Sequence, residues 1–568
     1  MQEQPKPQST LNGYLLQAIR ENWDREALTD LGGNSYTYGR VGEYIARTHL
    51  FFRNAGIKPG DHIALCAANS AEWSLIFLSC VTYGAVAVSV LADFRPEDVA
   101  RLVEHSQASI LCVDAKVWHG LESRAQELGD KLKGVVEITP EGVCEAVWEP
   151  RENVGLAKAL ADNEEEFRKL YPQGILPDKL QFADVGPEDV IVINYTSGST
   201  GSPKGVMLTE RNMWSNVQYS IDGLQFLHPG DNILSMLPLA HMFGLTVDLL
   251  HPFTKGCHIY FLMHMPTPAV LMSALQQIKP KLVVSVPLVI EKIIRKKVFP
   301  MIQKMPMKLL IHLPLIRTKV KHKIRESLIK AFGGNLQQLI LGGAGVSKDV
   351  EKFLRDIKFP FTVGYGMTEC GPLVGYAAWN EQRPGTCGHI VDRMQIRVDS
   401  PDPQKIPGVM WVKGDNVMKG YFHNPEATAA VMGKDGWMTT GDIGTIGPDG
   451  LISIKGRDKN MILGPSGQNI YPEEIEAKLN NMPSVGESVV IDGGDGKIIA
   501  LVYPDPETTE GKPREEISRL VAGDITLLNK SLPGYSQVKG YKIMKKEFEK
   551  TPKRSIKRFL YTAEKLGK

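Results

Sequence analysis

The sequence predicts an α/β protein. Its large N-terminal domain has parallel sheets covered by helices plus a small β-rich subdomain, and a small mobile α+β C-terminal domain follows. Before residue 384, short β-branched runs alternate with amphipathic helical segments, as in parallel sheets. Beyond it come short strands separated by Gly/Pro turns, until the pattern changes again at Arg457-Asp458. Because 568 residues exceed one compact core, we predict domains at 1–457 and 458–568.

The N-terminal part alternates helices and strands from its start. Residues 62–66 read as a short buried strand. The apolar run 74–92 has the length of a membrane span, but Gly84 divides it into a helical half and a β-branched half. We therefore expect a buried helix followed by a strand, and no membrane span.

Three loops that contain glycine follow predicted strands. In parallel sheets the carboxyl ends of the strands meet at one edge, where ligands usually bind. The strand and loop pairs are residues 190–194 with 195–205, 336–341 with 342–345, and 361–363 with 364–369.

The region after residue 458 is predicted to be a short α+β unit. Pro472 begins a helix whose first turns are acidic, as the helix dipole favours. Residues 487–492 and 497–503 form a hairpin around a Gly-rich turn, and 515–530 is predicted as the final helix.

Composition excludes several classes of protein. A hydrophobic content of 43% and a charged content of 23% are ordinary for a globular protein, and a formal net charge of +2 argues against nucleic acid as the partner. The seven cysteines form no CxxC pair, which indicates free thiols in a reducing compartment. Residues 1–10 show no signal-peptide pattern, so we expect a cytoplasmic protein.

The loop Tyr195–Gly205 reads Tyr-Thr-Ser-Gly-Ser-Thr-Gly-Ser-Pro-Lys-Gly. Glycines let backbone N–H groups turn toward an anion, hydroxyls add donors, and Lys204 adds a cation. The spacing differs from a Walker A loop, because Pro203 precedes the lysine. A flexible surface loop is the alternative, but the buried strand before it favours phosphate binding.

Two further motifs extend this pattern: Thr440-Gly441-Asp442 and Gly456-Arg457-Asp458-Lys459. With the loops at 195–205 and 364–369, they follow one another in an order that resembles the adenylate-forming superfamily of acyl-CoA synthetases, firefly luciferase and peptide-synthetase adenylation domains. The resemblance runs from about residue 30 to the end. It implies that a carboxylate attacks the α-phosphate of ATP, and that a thiol then displaces AMP from the acyl-adenylate.

The resemblance assigns a role to each motif residue. Contacts to phosphate are implied for Thr196, Ser197, Gly198, Ser199, Thr200, Gly201 and Lys204. Contacts to adenosine are implied for Gly343, Ala344, Tyr365, Gly366, Asp442 and Arg457, with Tyr365 on adenine and Asp442 on the ribose hydroxyls. Thr368 would contact the α-phosphate and Glu369 would bind Mg²⁺. Each residue taken alone has another explanation: Asp442 could be a turn residue, Arg457 a member of a surface ion pair, and Glu369 the first residue of a helix. The ordered set of motifs favours an ATP site.

The segment 237–244 is similar to the family segment that lines the acyl site, where His241 would be a gate beside the carboxylate. A core histidine is the alternative. Peptide-synthetase domains carry an aspartate nearby, whereas Met242 and Phe243 stand here, so an amino-acid substrate is disfavoured. Residues 284–292 resemble the long-chain fatty acyl-CoA synthetases, so we expect a fatty acid substrate.

One position departs from the family. The catalytic C-terminal lysine of the family aligns with Ser555, and we predict that Lys557 supplies the cation instead, with Lys553 as the alternative. We therefore expect an AMP-forming fatty acid–CoA ligase that uses ATP, Mg²⁺ and CoA. The alternatives are a ligase that loads an acyl-carrier protein and a catalytically impaired acyl or nucleotide binder. Basic residues in 291–330 suggest peripheral contact with the inner face of a membrane, although a solvated helix face explains them as well.

Overall fold

The computed structural model describes most of the chain. Its residues are 10–139, 145–150, 155–196, 203–263, 268–303, 314–464, 468–494, 497–551 and 556–565. The predicted phosphate-loop residues Ser197, Gly198, Ser199, Thr200 and Gly201, and the departure at Ser555 with its neighbour Lys553, lie outside these ranges.

One sheet of the described residues has eight strands. Its five central strands are parallel, because each is reached through a helical crossover, and the outer strands pair antiparallel. In sheet order the strands are Gly420–Tyr421, Lys204–Thr209, Val190–Thr196, Val86–Ser89, His62–Cys66, Ile110–Val113, Gly134–Glu137 and Glu145–Trp148.

A second sheet has seven strands, and all but its last pair are parallel. In sheet order they are Phe361–Val363, Gln338–Leu341, Leu282–Ser285, Asn232–Ser235, His258–Phe261, Glu26–Asp30 and Ser35–Thr37. The first two strands are neighbours, so the glycine loops that follow them open at the same edge.

Helices cover these sheets. Ala71–Tyr83 is buried almost throughout; Ser70 caps its first turn, and Gly84 ends it at φ +83°. The strand Val86–Ser89 follows, which confirms the predicted helix and strand. No helix in the described ranges is long and apolar enough to cross a membrane. The other helices of this part are Leu11–Glu21, Tyr38–Asn54, Pro96–Ser106, Ala115–Leu121, Leu156–Leu170, Glu210–Gly223, Gly244–Leu250, His251–Thr254, Pro268–Ile278, Pro287–Ile293, Ile294–Val298, Phe299–Gln303, Pro314–Ala331 and Lys348–Asp356.

The β-rich subdomain is also confirmed. Its antiparallel sheet orders Met394–Asp399, Gly408–Gly414, Met438–Ile446 and Ile452–Arg457, and a smaller sheet orders Tyr365–Gly366, Leu373–Tyr376 and His389–Ile390. One hydrophobic core runs from Leu11 to Ile452 and joins these sheets to the two large ones.

The C-terminal region has its own core, from Ile462 to Val538. Its main elements are Pro472–Leu479, Val485–Asp492, Ile498–Pro504, Arg514–Asn529 and Val538–Ile543. The predicted helix at Pro472 and the hairpin are present. The helix predicted at 515–530 is also present, as Arg514–Asn529. The sequence analysis did not predict the strand Val538–Ile543, which follows this helix and pairs parallel with Ile498–Pro504. Its exposed lysines hide the alternation that marks a strand. The boundary at 457/458 stays a prediction.

Candidate active site

The predicted ribose residues meet at the end of the β-rich sheet. The Tyr365 hydroxyl donates to Asp442 Oδ2 at 2.6 Å, and Arg457 Nε lies 2.9 Å from Asp442 Oδ1. Strand pairing sets this geometry, because Asp442 and Arg457 are register partners on adjacent antiparallel strands. Asp442 is 5% exposed, whereas the Arg457 side chain is about half exposed.

Burial raises the pKa of the Asp442 carboxyl, and Arg457 opposes that rise because its charge favours the anion. Burial and the neighbouring Asp442 carboxylate raise the pKa of the Tyr365 hydroxyl. The hydroxyl therefore stays protonated and donates. The pair presents a hydrogen-bonded carboxylate of the kind that accepts two ribose hydroxyls.

The predicted phosphate and metal residues are linked by a tyrosine that the sequence analysis missed. Lys204 Nζ lies 4.9 Å from the centroid of the Tyr421 ring, and the Tyr421 hydroxyl donates to Glu369 Oε1 at 2.9 Å. Tyr421 lies on the short edge strand beside Lys204–Thr209, which places it between the two charged groups. Its only local sequence signal is the glycine before it, Gly420, a residue type common in turns.

The two ends of the predicted phosphate loop lie opposite each other. Thr196 ends one strand, Lys204 begins the next, and the two residues are register partners. Thr196 Oγ1 also donates to the Lys204 carbonyl at 3.4 Å. The end of the loop at Lys204 thus lies beside Tyr421, whose hydroxyl bonds Glu369, as phosphate binding there would require.

An apolar cavity opens beside these groups. Five predicted residues line it: His241, Gly343, Tyr365, Gly366 and Thr368, the last only 8% exposed. Ala344 is exposed next to them. The rest of the lining is Tyr219, Ser220, Gly223, Leu224, Phe243, Val247, Ile340, Gly342, Gly364, Met367, Pro372, Leu373 and Tyr376. The lining from the described residues contains no Asp, Glu, Lys or Arg, so the cavity suits an uncharged, apolar group.

His241 lies on the loop between the strand Asn232–Ser235 and the helix Gly244–Leu250. The Phe243 N–H donates to its Nδ1 at 3.2 Å, so the neutral ring carries its proton on Nε2. A π-helical turn begins directly after this loop, a distortion that is frequent at functional sites.

Amide side chains hold the loops that carry Tyr365, Thr368 and Glu369. Asn216 donates to the Cys370 carbonyl at 3.0 Å and accepts from the Leu373 N–H at 2.9 Å. Gln382 donates to the Val363 carbonyl at 2.6 Å and accepts from the Val363 N–H at 2.9 Å. Each amide satisfies backbone groups that no strand reaches.

Lys557 pairs with a glutamate of the C-terminal region. Its Nζ is 3.8 Å from Glu549 Oε2, within the C-terminal region, and its catalytic role stays a prediction. In the predicted basic stretch, Arg295 pairs with Asp349 at 2.7 Å and Lys321 with Asp356 at 3.7 Å. These charges therefore have partners within the fold, and membrane contact through 291–330 stays a prediction.

Two family models match the chain. Residues 15–422 match that of the AMP-binding enzymes, and residues 459–564 match that of the AMP-binding enzyme C-terminal domain. The chain is 28% identical over 536 residues to 4-coumarate–CoA ligase 2 of Solanum tuberosum, covering 90% of this chain and 88% of the relative. It is 27% identical over 504 residues to the long-chain-fatty-acid–CoA ligase FadD15 of Mycobacterium bovis, covering 84% and 78%.

Solved structures share the fold over almost the whole chain. The anthranilate CoA ligase AuaEII in complex with anthranoyl-AMP superimposes with a TM-score of 0.74 at 19% identity, covering 97% of this chain and 96% of the other. ATP-bound MatB from Rhodopseudomonas palustris gives a TM-score of 0.72 at 22% identity, covering 97% and 98%. These likenesses confirm the predicted α/β architecture with its small C-terminal domain. Since one family model covers residues 15–422, more than half of the chain, the protein belongs to the AMP-binding enzyme family.

Proposed function

We propose that the protein is an AMP-forming fatty acid–CoA ligase. The acid's carboxylate attacks the α-phosphate of ATP and releases pyrophosphate; the thiol of CoA then attacks the acyl carbon and releases AMP. The named relatives include an aromatic-acid–CoA ligase and a fatty-acid–CoA ligase. Both support ligation of an acid to CoA, but they differ in the acid.

The observation that carries the choice of a monocarboxylic acid with an apolar tail is the cavity lining, and the resemblance of residues 284–292 to long-chain fatty acyl-CoA synthetases favours a fatty acid among such acids. Phe243, Val247 and Ile340 present apolar surface, and no charged side chain among the described residues is there to pair a second carboxylate or an amine. Burying such a charge unpaired would cost several kcal/mol, about enough to exclude dicarboxylic and amino acids. A saturated chain needs no partner in this lining.

The surrounding groups fit the nucleotide. Asp442 would accept the ribose hydroxyls, and Tyr365 with Gly343 would flank the adenine. Lys204 would meet the outer phosphates, and Glu369 would hold Mg²⁺ together with phosphate oxygens, since its carboxylate is a hard oxygen ligand beside the loop. Mg²⁺ would neutralise phosphate charge during the attack. Lys557 would supply a further cation from the C-terminal domain.

A panel of acids tests the proposal. The purified protein is incubated with ATP, Mg²⁺ and CoA and with saturated fatty acids of increasing length, 4-coumarate, benzoate or malonate, and AMP release is measured. We expect the largest kcat/KM for a fatty acid and none above background for malonate. A preference for 4-coumarate would reject the assignment of a fatty acid as substrate, while the assignment as an acid–CoA ligase would stand. AMP release that needs an acyl-carrier protein in place of CoA would assign the other acceptor. Nucleotide binding without turnover of any acid would indicate an impaired binder.

A further inference from the structure

The loop that carries His241 is held by side chains from the other large sheet. Asn69 follows the strand His62–Cys66 of the eight-stranded sheet. Its Nδ2 donates to the Leu237 carbonyl at 2.6 Å, and its Oδ1 accepts from the Leu239 N–H at 2.8 Å. One side chain thus satisfies two backbone groups two residues apart, which fixes both the position and the orientation of the loop.

A second asparagine holds the same loop closer to His241. Asn194 Nδ2 donates to the Ala240 carbonyl at 2.7 Å, and the side chain is fully buried. Its Oδ1 has no hydrogen-bond partner within the described residues. A buried polar group with one unpaired atom costs free energy and calls for a reason. Asn194 directly precedes the predicted phosphate loop Tyr195–Gly205, on the strand that ends at Thr196.

The side-chain contacts from Asp248, on the helix that follows the loop, are longer. Asp248, fully buried in the helix Gly244–Leu250, accepts from Ser235 Oγ and the Leu237 N–H, each at 3.4 Å. The contacts from Asn69 and Asn194 are 2.6 to 2.8 Å long. Among these side-chain contacts, the shorter ones therefore tie the loop to the sheet of the phosphate loop.

We propose that Asn69 and Asn194 are positioning residues that hold the His241 loop at a fixed place relative to the phosphate loop. This inference rests on the proposed function, in which the acid's carboxylate must meet the α-phosphate of ATP. A nucleophile displaced by about 1 Å loses about a hundredfold in rate, so the two loops need a direct tie. Neither asparagine touches the ribose residues Asp442 and Arg457 in the contacts above.

Kinetics of three variants test the positioning role. In Asn69→Leu and Asn194→Leu we expect kcat for acid-dependent pyrophosphate exchange to fall by roughly 10- to 100-fold. AMP affinity, measured by calorimetry, should change less than about twofold, because the adenosine contacts remain. Asn69→Asp keeps the acceptor for Leu239 and should lose less than Asn69→Leu. Asn163→Leu is the matched control: it changes another buried asparagine, on the helix Leu156–Leu170, and should leave kcat unchanged.

Amide hydrogen exchange tests the hydrogen bonds between Asn69 and the His241 loop without any acid substrate. The Leu239 amide should exchange at least about tenfold faster in Asn69→Leu, whereas the Leu373 amide, held by Asn216, should not change. Unchanged exchange at Leu239, wild-type kcat in both leucine variants, or an equal loss of AMP affinity would each overturn the proposal. If the wild type turns over no acid, the proposed function fails, and exchange at Leu239 still decides whether Asn69 holds the loop.

Discussion

The loops around the cavity and the C-terminal segment that carries Lys557 are held by different kinds of contact. The N-terminal loops are fixed by buried amides such as Asn216 and Asn194, which bond to backbone groups. Around Lys557 the polar contacts include partly exposed ion pairs, such as Lys550 with Glu487 at 2.7 Å and Lys557 with Glu549 at 3.8 Å. Buried amide bonds specify one geometry, whereas exposed ion pairs break and re-form at little cost. The difference fits a fixed nucleotide site served by a lid that changes position.

The largest expected effect lies on the C-terminal side of this comparison. If Lys557 is the cation of the adenylation step, Lys557→Ala should lower acid-dependent pyrophosphate exchange about a hundredfold, or roughly 3 kcal/mol. Ser555→Lys in the same background should restore it, because it returns a cation to the family's usual position. Thioester formation from a supplied acyl-adenylate should hardly change. Full exchange activity in Lys557→Ala would show that another cation serves this step.

Two residues of the proposed nucleotide site, Lys204 and Asp442, should affect the binding of ATP and AMP differently. Lys204→Ala should weaken ATP binding more than AMP binding, because we propose that Lys204 meets the outer phosphates. Asp442→Ala should weaken both equally, because both share the ribose. Each loss should be about 2–3 kcal/mol in binding free energy, as for charge-assisted hydrogen bonds. Calorimetric titration with both nucleotides measures it, and an equal loss of ATP and AMP in Lys204→Ala would contradict the phosphate assignment.

The sequence predicts the fold and the motif residues better than it predicts their connections. The strands before the glycine loops are recognisable because a buried parallel strand is a continuous β-branched run with glycine after it. The contacts of Asn69 and Asn194 are not recognisable, because their partners are 168 and 46 residues away and asparagine is usual in turns. Tyr421 was missed for the same reason, since its link to Glu369 spans 52 residues.

A buried carboxyl under the His241 loop gives the fixed region a pH dependence. Burial raises the pKa of Asp248 from 3.8 to about 8, so the folded protein holds a proton that the unfolded chain releases near pH 4. Stability therefore falls as pH rises from about 4 to 8. Asp248→Asn keeps the shape without the charge, and should raise the unfolding free energy at pH 8 by on the order of 2 kcal/mol, with little change at pH 4. Denaturant unfolding at both pH values measures this; an equal change at both would assign the effect to packing.

The junction between the two regions offers a direct test of lid movement. Asp458 begins a short 3-10 turn, and Arg457 before it is extended at φ −94° and ψ 134°, which a following proline tolerates. If the backbone at Asp458 rotates between the two half-reactions, Asp458→Pro should slow one of them about tenfold and spare the other. Pyrophosphate exchange and thioester formation are measured separately, with Asp458→Ala as the control for the lost carboxylate. Normal rates for both would place the rotation elsewhere.

The smallest effect is expected from an ion pair of the C-terminal region itself. Lys550 and Glu487 are each about one quarter exposed, and Lys550 also lies 3.3 Å from Glu547, so its charge has a second partner. A double-mutant cycle with Lys550→Met and Glu487→Gln isolates their coupling from the cost of leaving one charge unpaired. We expect a coupling free energy of about 0.5–1 kcal/mol that shrinks in high salt, because water and ions screen partly exposed charges. The same cycle on a buried amide contact should be insensitive to salt. A coupling above about 2 kcal/mol, unchanged by salt, would mean that the C-terminal region is held as firmly as the N-terminal loops, and the contrast between a fixed site and a repositioning lid would lose its physical basis.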